Sequence, residues 1–251
     1  MYVDSEGIVL RQSKAVNGRQ MVTIFTRKYG KISAGSNVVS KAKNKTALSI
    51  KPFTFGKFNF YKNRDMYNIN GGETVKSFYR LGENIDKYMV CSYVLELTDK
   101  MLVEGEANVK LYNLLYDFLN EIEVRETKFM TLVVAYEVKA LSILGYGFRL
   151  DQCGGCATKD NLTFLSVNDG GTLCENCGLT ILNSNVESLI FHVDFGIIDI
   201  ISFLEKKPLA YFRKLSLQEG SLETIRNFIK EYIRFHLDIS KINSEDFINP
   251  S

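Results

Sequence analysis

The sequence predicts an α+β multidomain protein: a small basic β-barrel over residues 1–80, then an α-helical domain over 81–251 with a four-cysteine insertion at 150–180. Three observations predict it. Short β-branched and aromatic runs punctuated by glycine fill the first part of the chain. After Gly82 the apolar residues recur at helical spacing. Two Cys-x-x-Cys pairs then interrupt the helical part. The chain has 251 residues, 45% hydrophobic and 24% charged, so it can bury a core without disulfides. It holds no run of about 18 apolar residues, the length a membrane-spanning helix needs.

Gly7-Ile8-Val9-Leu10-Arg11-Gln12 is the first β-prone segment, and Met21-Val22-Thr23-Ile24-Phe25-Thr26 is the second. Arg27-Lys28-Tyr29-Gly30 is the turn into a third, Lys31-Ile32-Ser33-Ala34, with Gly30 free to take a positive φ. The fourth covers residues 52–61. There Phe53 and Phe55 share one parity and Phe58 and Phe60 the other, so a bulge across Gly56-Lys57 is expected, with the phenylalanines as barrel core on one face or the other. Residues 65–75 form the fifth, ending near Gly71-Gly72. Five short strands in so few residues suggest a closed antiparallel barrel of the OB-fold type.

In the helical part, Ile85, Tyr88, Met89, Ser92, Leu95 and Leu102 mark one face of a long helix ending about Glu104-Gly105. Leu111, Leu114, Leu115, Phe118 and Leu119 mark a second, and residues 129–144 a third closed by Gly145. Ser184-Asn185-Val186-Glu187 matches a capping box. It predicts a helix with Val186, Leu189, Ile190, Val193, Ile197, Ile200, Ile201 and Leu204 inward, carrying His192, Asp194 and Asp199. Residues 221–239 form the last long helix, with Ile225, Phe228, Ile229, Tyr232 and Phe235 at helical spacing and His236 among them, and residues 243–251 are a short tail.

The cysteines carry the strongest local signal. Cys153-Gly154-Gly155-Cys156 and Cys174-Glu175-Asn176-Cys177 are separated by 17 residues, a zinc-ribbon spacing. Two residues between thiolates let one tight turn present both sulfurs to a tetrahedral ion. Disulfides need an oxidising compartment, and the N-terminus has no signal-peptide pattern, so a cytoplasmic protein with reduced thiols is expected. Cys153, Cys156, Cys174 and Cys177 are therefore the expected ligands of one Zn²⁺ per chain. Four thiolates close the coordination sphere and leave no position for a reacting water, so the ion is expected to be structural. The fifth cysteine, Cys91, falls on an apolar helix face as a core residue.

Charge is the second signal. The formal net charge of +2 hides a division: residues 1–80 hold 15 Lys and Arg against 4 Asp and Glu, and the remainder holds 16 against 25. A basic module on an acidic body points to a polyanionic partner. Candidate nucleic-acid contacts are Arg11, Lys14, Arg19, Arg27, Lys28, Lys31, Lys41, Lys43, Lys45, Lys51, Lys57, Lys62 and Arg64. The run Ser40-Lys41-Ala42-Lys43-Asn44-Lys45 suits a loop laid along phosphates, whose counterions are released on binding. Tyr29, Tyr61 and Tyr67 offer stacking faces for single-stranded bases. Enzyme signatures are missing: there is no phosphate-binding glycine motif and no nucleophile elbow, and Asp194 and Asp199 do not share a helix face. A non-enzyme is expected.

In this order, the parts resemble the RecO family of bacterial recombination mediators over nearly the whole chain. The resemblance rests on Gly7-Ile8-Val9-Leu10, on Thr23-Ile24-Phe25-Thr26-Arg27-Lys28-Tyr29-Gly30-Lys31-Ile32, on Tyr93-Val94-Leu95-Glu96-Leu97 and on Leu144-Gly145-Tyr146. It is completed by Cys153-Gly154-Gly155-Cys156 and Gly170-Gly171-Thr172-Leu173-Cys174-Glu175-Asn176-Cys177. The resemblance implies a protein of DNA repair that binds single- and double-stranded DNA and anneals complementary strands. It also implies work with RecR to load RecA onto DNA covered by single-strand-binding protein, whose C-terminal tail it contacts. Two departures stand out. Val16-Asn17-Gly18-Arg19-Gln20 replaces an acidic pair, and the lysine run replaces an arginine-rich stretch, giving point charges in place of planar forks. The competing expectation is a non-catalytic RNA-binding or adaptor protein with the same barrel and zinc ribbon.

Overall fold

The computed structural model describes residues 1–14, 20–36, 45–64, 66–184 and 188–248. It divides into two compact units, Met1–Val124 with Ile242–Ser251, and Arg125–Lys241.

The first unit is built on five strands: β1 (Tyr2–Lys14), β2 (Gln20–Thr26), β3 (Gly30–Ser36), β4 (Thr54–Asn63) and β5 (Met66–Ser77). They close into a barrel in the order β1-β2-β3-β5-β4, as an OB-fold requires, with β3 and β5 running parallel and the other pairs antiparallel. Strand β1 is long enough to serve two neighbours. Tyr2 to Ile8 face β4 and Gly7 to Lys14 face β2, so the strand changes partner at Gly7 and Ile8, and an irregularity follows between Val9 and Arg11. Gly7 is needed at the crossing, because a Cβ there would stand 2.5 Å from Ile24 Cγ2. Gly30 has the expected positive φ of 67° and closes the β2–β3 turn. The short helix α1 (Lys45–Ser49) precedes β4.

The interior is apolar and complete: Val9, Val22, Ile24, Ile32, Ala34, Ile50, Phe58, Phe60 and Ile69 form one buried cluster. The bulge expected across Gly56-Lys57 is not found in β4, whose burial alternates without a break from Thr54 to Phe60. The register shift at Phe55 and Gly56 skips Val75, so the extra residue lies on β5. Plain alternation turns Phe58 and Phe60 inward and Phe55 outward, where its ring lies 4.9 Å from that of Tyr116. The barrel strands end at Ser77, near the expected boundary at residue 80, and the compact unit carries on through helices α2 (Ile85–Met101) and α3 (Val109–Val124).

Helix α3 buries the face its periodicity predicts. Helix α2 does so only in part: Leu95 and Leu102 are buried as expected, but Ile85 is 72% exposed and Tyr88 47%, whereas Val90, Cys91, Val94, Leu97 and Thr98 are buried. Apolar residues encircle α2, so period alone could not select the face. The expected tail also differs. Asn243 and Ser244 are gripped by the Glu96 carboxylate, which accepts from both backbone amides (2.8 and 2.9 Å) and from the Ser244 hydroxyl at 2.6 Å. The short helix α8 (Glu245–Ile248) follows, with Ile242 and Ile248 buried.

The second unit contains α4 (Met130–Ile143), β6 (Leu162–Ser166), β7 (Gly171–Cys174), α5 (Glu175–Leu182), β8 (Ile190–His192), α6 (Ile197–Lys206) and α7 (Glu219–Leu237). Gly145, at φ 88°, ends α4 as expected. The capping box lies partly outside the described residues, and only the later part of the expected helix is formed, as α6, where Ile197, Ile201 and Leu204 are buried as expected. Ile190, Phe191 and His192 pair instead with Ser166, Leu165 and Phe164 as the third strand of the sheet β7-β6-β8. Asp194 precedes the helix, and α6 starts only after Gly196 at φ 89°.

A free sheet edge beside a β-prone Ile-Phe pair outweighs the helical spacing. In α7, Phe235 is 53% exposed, and the buried face is Ile225, Phe228, Ile229, Tyr232 and Ile233. Among the described residues, no helix is long and apolar enough to cross a membrane.

Candidate metal centre and nucleic-acid interface

The four ribbon cysteines meet. Their Sγ atoms all lie within 4.8 Å of one another, and those of Cys156 and Cys174 are 3.6 Å apart. A tetrahedral ion with metal–sulfur bonds of about 2.3 Å has sulfur–sulfur edges of about 3.8 Å, so the cluster has the right size. Each knuckle is a tight turn. In the first, the Ala157 amide donates to the Cys153 carbonyl at 2.9 Å and the Gly155 amide points at Cys153 Sγ at 3.4 Å. In the second, Cys174 ends β7 and caps α5, whose first turn delivers Cys177. Gly178 lets α5 lie directly on the Phe164 ring, where any Cβ would collide.

Like charges cannot all gather in this cluster without a cation. Burial raises the Cys153 thiol, but the amides of Cys174, Cys156 and Gly155 outweigh it and bring it down to about 6. Cys177, hydrogen-bonded to the sulfurs of Cys174, Cys156 and Cys153, is pushed up to about 12. A bound cation removes the conflict by taking four thiolates. The buried apolar cluster here holds only Phe164 and Leu173 besides Cys153 and Cys174, too little to hold the knuckles alone. Neither histidine joins the cluster. His192 lies on β8, not on a helix, with its ring against Phe164, and His236 Nε2 is 2.7 Å from the Val167 carbonyl. Cys91 is fully buried in α2, and burial pushes its thiol up.

The barrel cations fall into two groups. Arg11 Nε is 2.7 Å from Asp99, and Lys31 Nζ is 3.3 Å from the same carboxylate. Lys28 is paired with Asp4 at 2.8 Å and Arg27 with Glu6 at 3.6 Å, all four side chains partly open to solvent. The Asp4 carboxyl is held below its usual range by the Lys28 ammonium. Lys14, Lys51, Lys57 and Arg64 are exposed, and the Lys62 ammonium lies 5.1 Å over the Tyr67 ring. Arg19, Lys41 and Lys43 lie outside the described residues, and so does the Lys45 side chain. Strand register sets Lys14 opposite Gln20, and Gln20 opposite Ser36.

The three expected stacking tyrosines separate. Tyr61 is 41% exposed, but Tyr29 and Tyr67 pack against the barrel core with ring centroids 6.4 Å apart. Sequence reasoning missed Tyr2, 70% exposed, whose ring lies 5.3 Å from that of Tyr61. Starting β1 at Gly7 hid it, although the alternation Tyr2, Asp4, Glu6 was a signal that the strand begins earlier.

Comparison with known proteins agrees over both parts of the chain. Residues 1–78 match the family model described as Recombination protein O N terminal, and residues 82–246 match Recombination protein O C terminal. The DNA repair protein RecO of Alkaliphilus metalliredigens is 29% identical over 97% of each chain. That of Caldanaerobacter subterraneus is 26% identical, covering 98% of this chain and 97% of its own. That of Clostridium acetobutylicum is 28% identical over 90% of this chain and 91% of its own. With its closed barrel, its four-cysteine cluster and both domain models matched in order, the chain belongs to the RecO family of DNA repair proteins.

Proposed function

We propose that the protein is a recombination mediator. It binds single- and double-stranded DNA, anneals complementary strands and, with RecR, loads RecA onto DNA covered by single-strand-binding protein, whose C-terminal tail it contacts. It performs no covalent chemistry and works in the bacterial cytoplasm at the nucleoid. The observation that carries this reading is the match to both RecO domain models across a chain whose first 80 residues hold 15 basic against 4 acidic residues. In this division of labour residues 1–80 grip DNA, and residues 81–251, with a net charge of −9, meet protein partners.

Phosphate contact falls first to Lys14, Lys57, Lys62 and Arg64, together with Arg19, Lys41, Lys43 and Lys45. Arg27 and Lys28 can exchange their exposed carboxylate partners for phosphate at little cost, since such surface pairs are worth about 0–1 kcal/mol. Arg11 and Lys31 share Asp99, whose side chain is only 15% exposed, and contribute less. Zn²⁺ is the ion that four thiolates in a closed tetrahedral set favour in a reducing compartment, held by Cys153, Cys156, Cys174 and Cys177 as a structural staple of the 150–180 insertion.

The test is annealing of complementary strands coated with single-strand-binding protein. Wild-type protein is expected to accelerate it, and Lys41→Glu/Lys43→Glu/Lys45→Glu to slow it at least tenfold with a shallower dependence on salt, because fewer counterions are released on binding. Failure to anneal coated strands, with tight binding to structured RNA, would favour an RNA-binding adaptor instead.

A further inference from the structure

Two rows of side chains cross the outside of the barrel, and they are treated differently. In one, Ile8 stands opposite both Phe25 and Phe55. Phe25 packs on Tyr112 and Phe55 on Tyr116, so α3 covers this row. The other row follows register around the wall: Tyr2 opposite Tyr61, Tyr61 opposite Asn68, Asn68 opposite Gly35, and Gly35 opposite Met21. Its members alternate with Val3, Phe60, Ile69, Ala34 and Val22, which point into the barrel, so the row faces out. Gly35 leaves a dip in it, since a Cβ there would stand 3.1 Å from Asn68 Oδ1 and 3.9 Å from Met21 Sδ.

Packing explains the covered row but not the open one. Tyr2 and Tyr61, at 70% and 41% exposure, pair their rings at 5.3 Å and leave their faces to solvent. Cations stand beside the row. Both are near the Tyr61 end: Lys62 lies over Tyr67, and Arg64 is exposed in the β4–β5 turn. Asp4, the carboxylate two residues along β1 from Tyr2, is already held by Lys28. Aromatic faces flanked by positive charge, with an amide between them, complement bases flanked by phosphates.

We propose that the row Tyr2–Tyr61–Asn68–Gly35–Met21 is a base-stacking lane for single-stranded nucleic acid. The cations hold a single strand or a duplex alike, and the tyrosines tell them apart, because only unpaired bases can leave their own stack for a ring. The lane rests on the DNA-binding reading above. It also gives annealing a physical basis: bases held by their faces keep their pairing edges free for a complementary strand.

The experiment measures affinity for one labelled oligonucleotide, single-stranded and as a duplex, with the full-length protein. Tyr2→Ala/Tyr61→Ala is expected to lose about 10- to 100-fold for the single strand and less than twofold for the duplex. Its slope of log affinity against log salt should match the wild type, because no phosphate contact is removed. Tyr61→Phe keeps the ring and should bind within twofold of wild type. The chain has no tryptophan. The indole of Tyr61→Trp is therefore a lone reporter, expected to be quenched by the single strand and not by the duplex, and it tests the lane without relying on the alanine variants. Unchanged single-strand binding by the double variant, equal loss on both DNA forms, or an unquenched indole would overturn the lane. Wild-type protein that binds neither form would withdraw the DNA reading itself, a separate result.

Discussion

The barrel and the cysteine insertion solve the same problem with opposite means. The barrel has nine buried apolar residues in one cluster and closes its own hydrogen-bonded wall, so it needs no ligand to fold. The insertion has two strands of a three-stranded sheet, one short helix and a buried cluster in which two of the four described members are cysteines. Where the apolar cluster is large, polar links are ornaments on the fold. Where it is small, they carry it. The effect of removing a polar link should therefore scale with how little apolar core lies beneath it.

The largest effect is expected at the metal. Structural zinc in small fingers supplies about 10–16 kcal/mol of apparent binding free energy, which in such modules is folding free energy. Cys174→Ser, or a strong chelator, should release one equivalent of zinc and unfold residues 150–182, seen as lost hydrogen-exchange protection there with the barrel amides still protected. Protein prepared without chelator that holds no zinc, or a barrel that melts together with the insertion, would break the comparison.

Next comes Arg125, which plays for the turns of the second unit the part proposed above for a metal at the four cysteines. It is 4% exposed, and its guanidinium donates to the carbonyls of Thr127, Lys128, Phe212, Arg213 and Leu215 and to the Ser216 hydroxyl. Burial depresses its pKa without any carboxylate to offset the cost. Arg125→Ala leaves five carbonyls short of a donor and should cost about 3–5 kcal/mol in denaturant unfolding of this unit. Arg125→Lys keeps the charge but loses the planar fork, and should recover only part of the loss.

These staples also mark what the sequence could show. Apolar alternation disclosed the barrel because Val22, Ile24, Ile32 and Phe58 each point into one closed interior. The cysteine spacing disclosed the four-cysteine cluster because two residues between thiolates suit one tight turn that presents both sulfurs. What stayed hidden was settled by distant partners. The strand Ile190–His192 exists because β6 offers a free edge, and the buried face of α2 is chosen by the elements around it. Tyr2 escaped notice because its meaning lies in Tyr61, far along the chain but adjacent across β1 and β4. Arg125 gave no signal at all, since carbonyl acceptors leave no mark on a sequence.

The smallest effect sharpens the rule from the other side. Glu96 is the polar link of the barrel-bearing unit, and it holds Asn243 and Ser244 at the head of α8. Burial raises its pKa, but the hydrogen bonds from Ser244 and Asn243 outweigh burial, so the folded value lies below the ordinary 4.5. The sign follows: a carboxyl with a depressed folded pKa adds stability above its unfolded pKa, and that stability is lost as the pH falls through the folded value. The docked segment should therefore stay protected from exchange at neutral pH and open on acidification below the usual carboxylate range. Glu96→Gln should remove that acid dependence and cost about 1 kcal/mol at neutral pH, the size of a lost helix cap. The barrel beneath should be indifferent, because its apolar cluster includes no part of α8. If Glu96→Gln instead unfolded the barrel, core size would no longer explain which polar links matter.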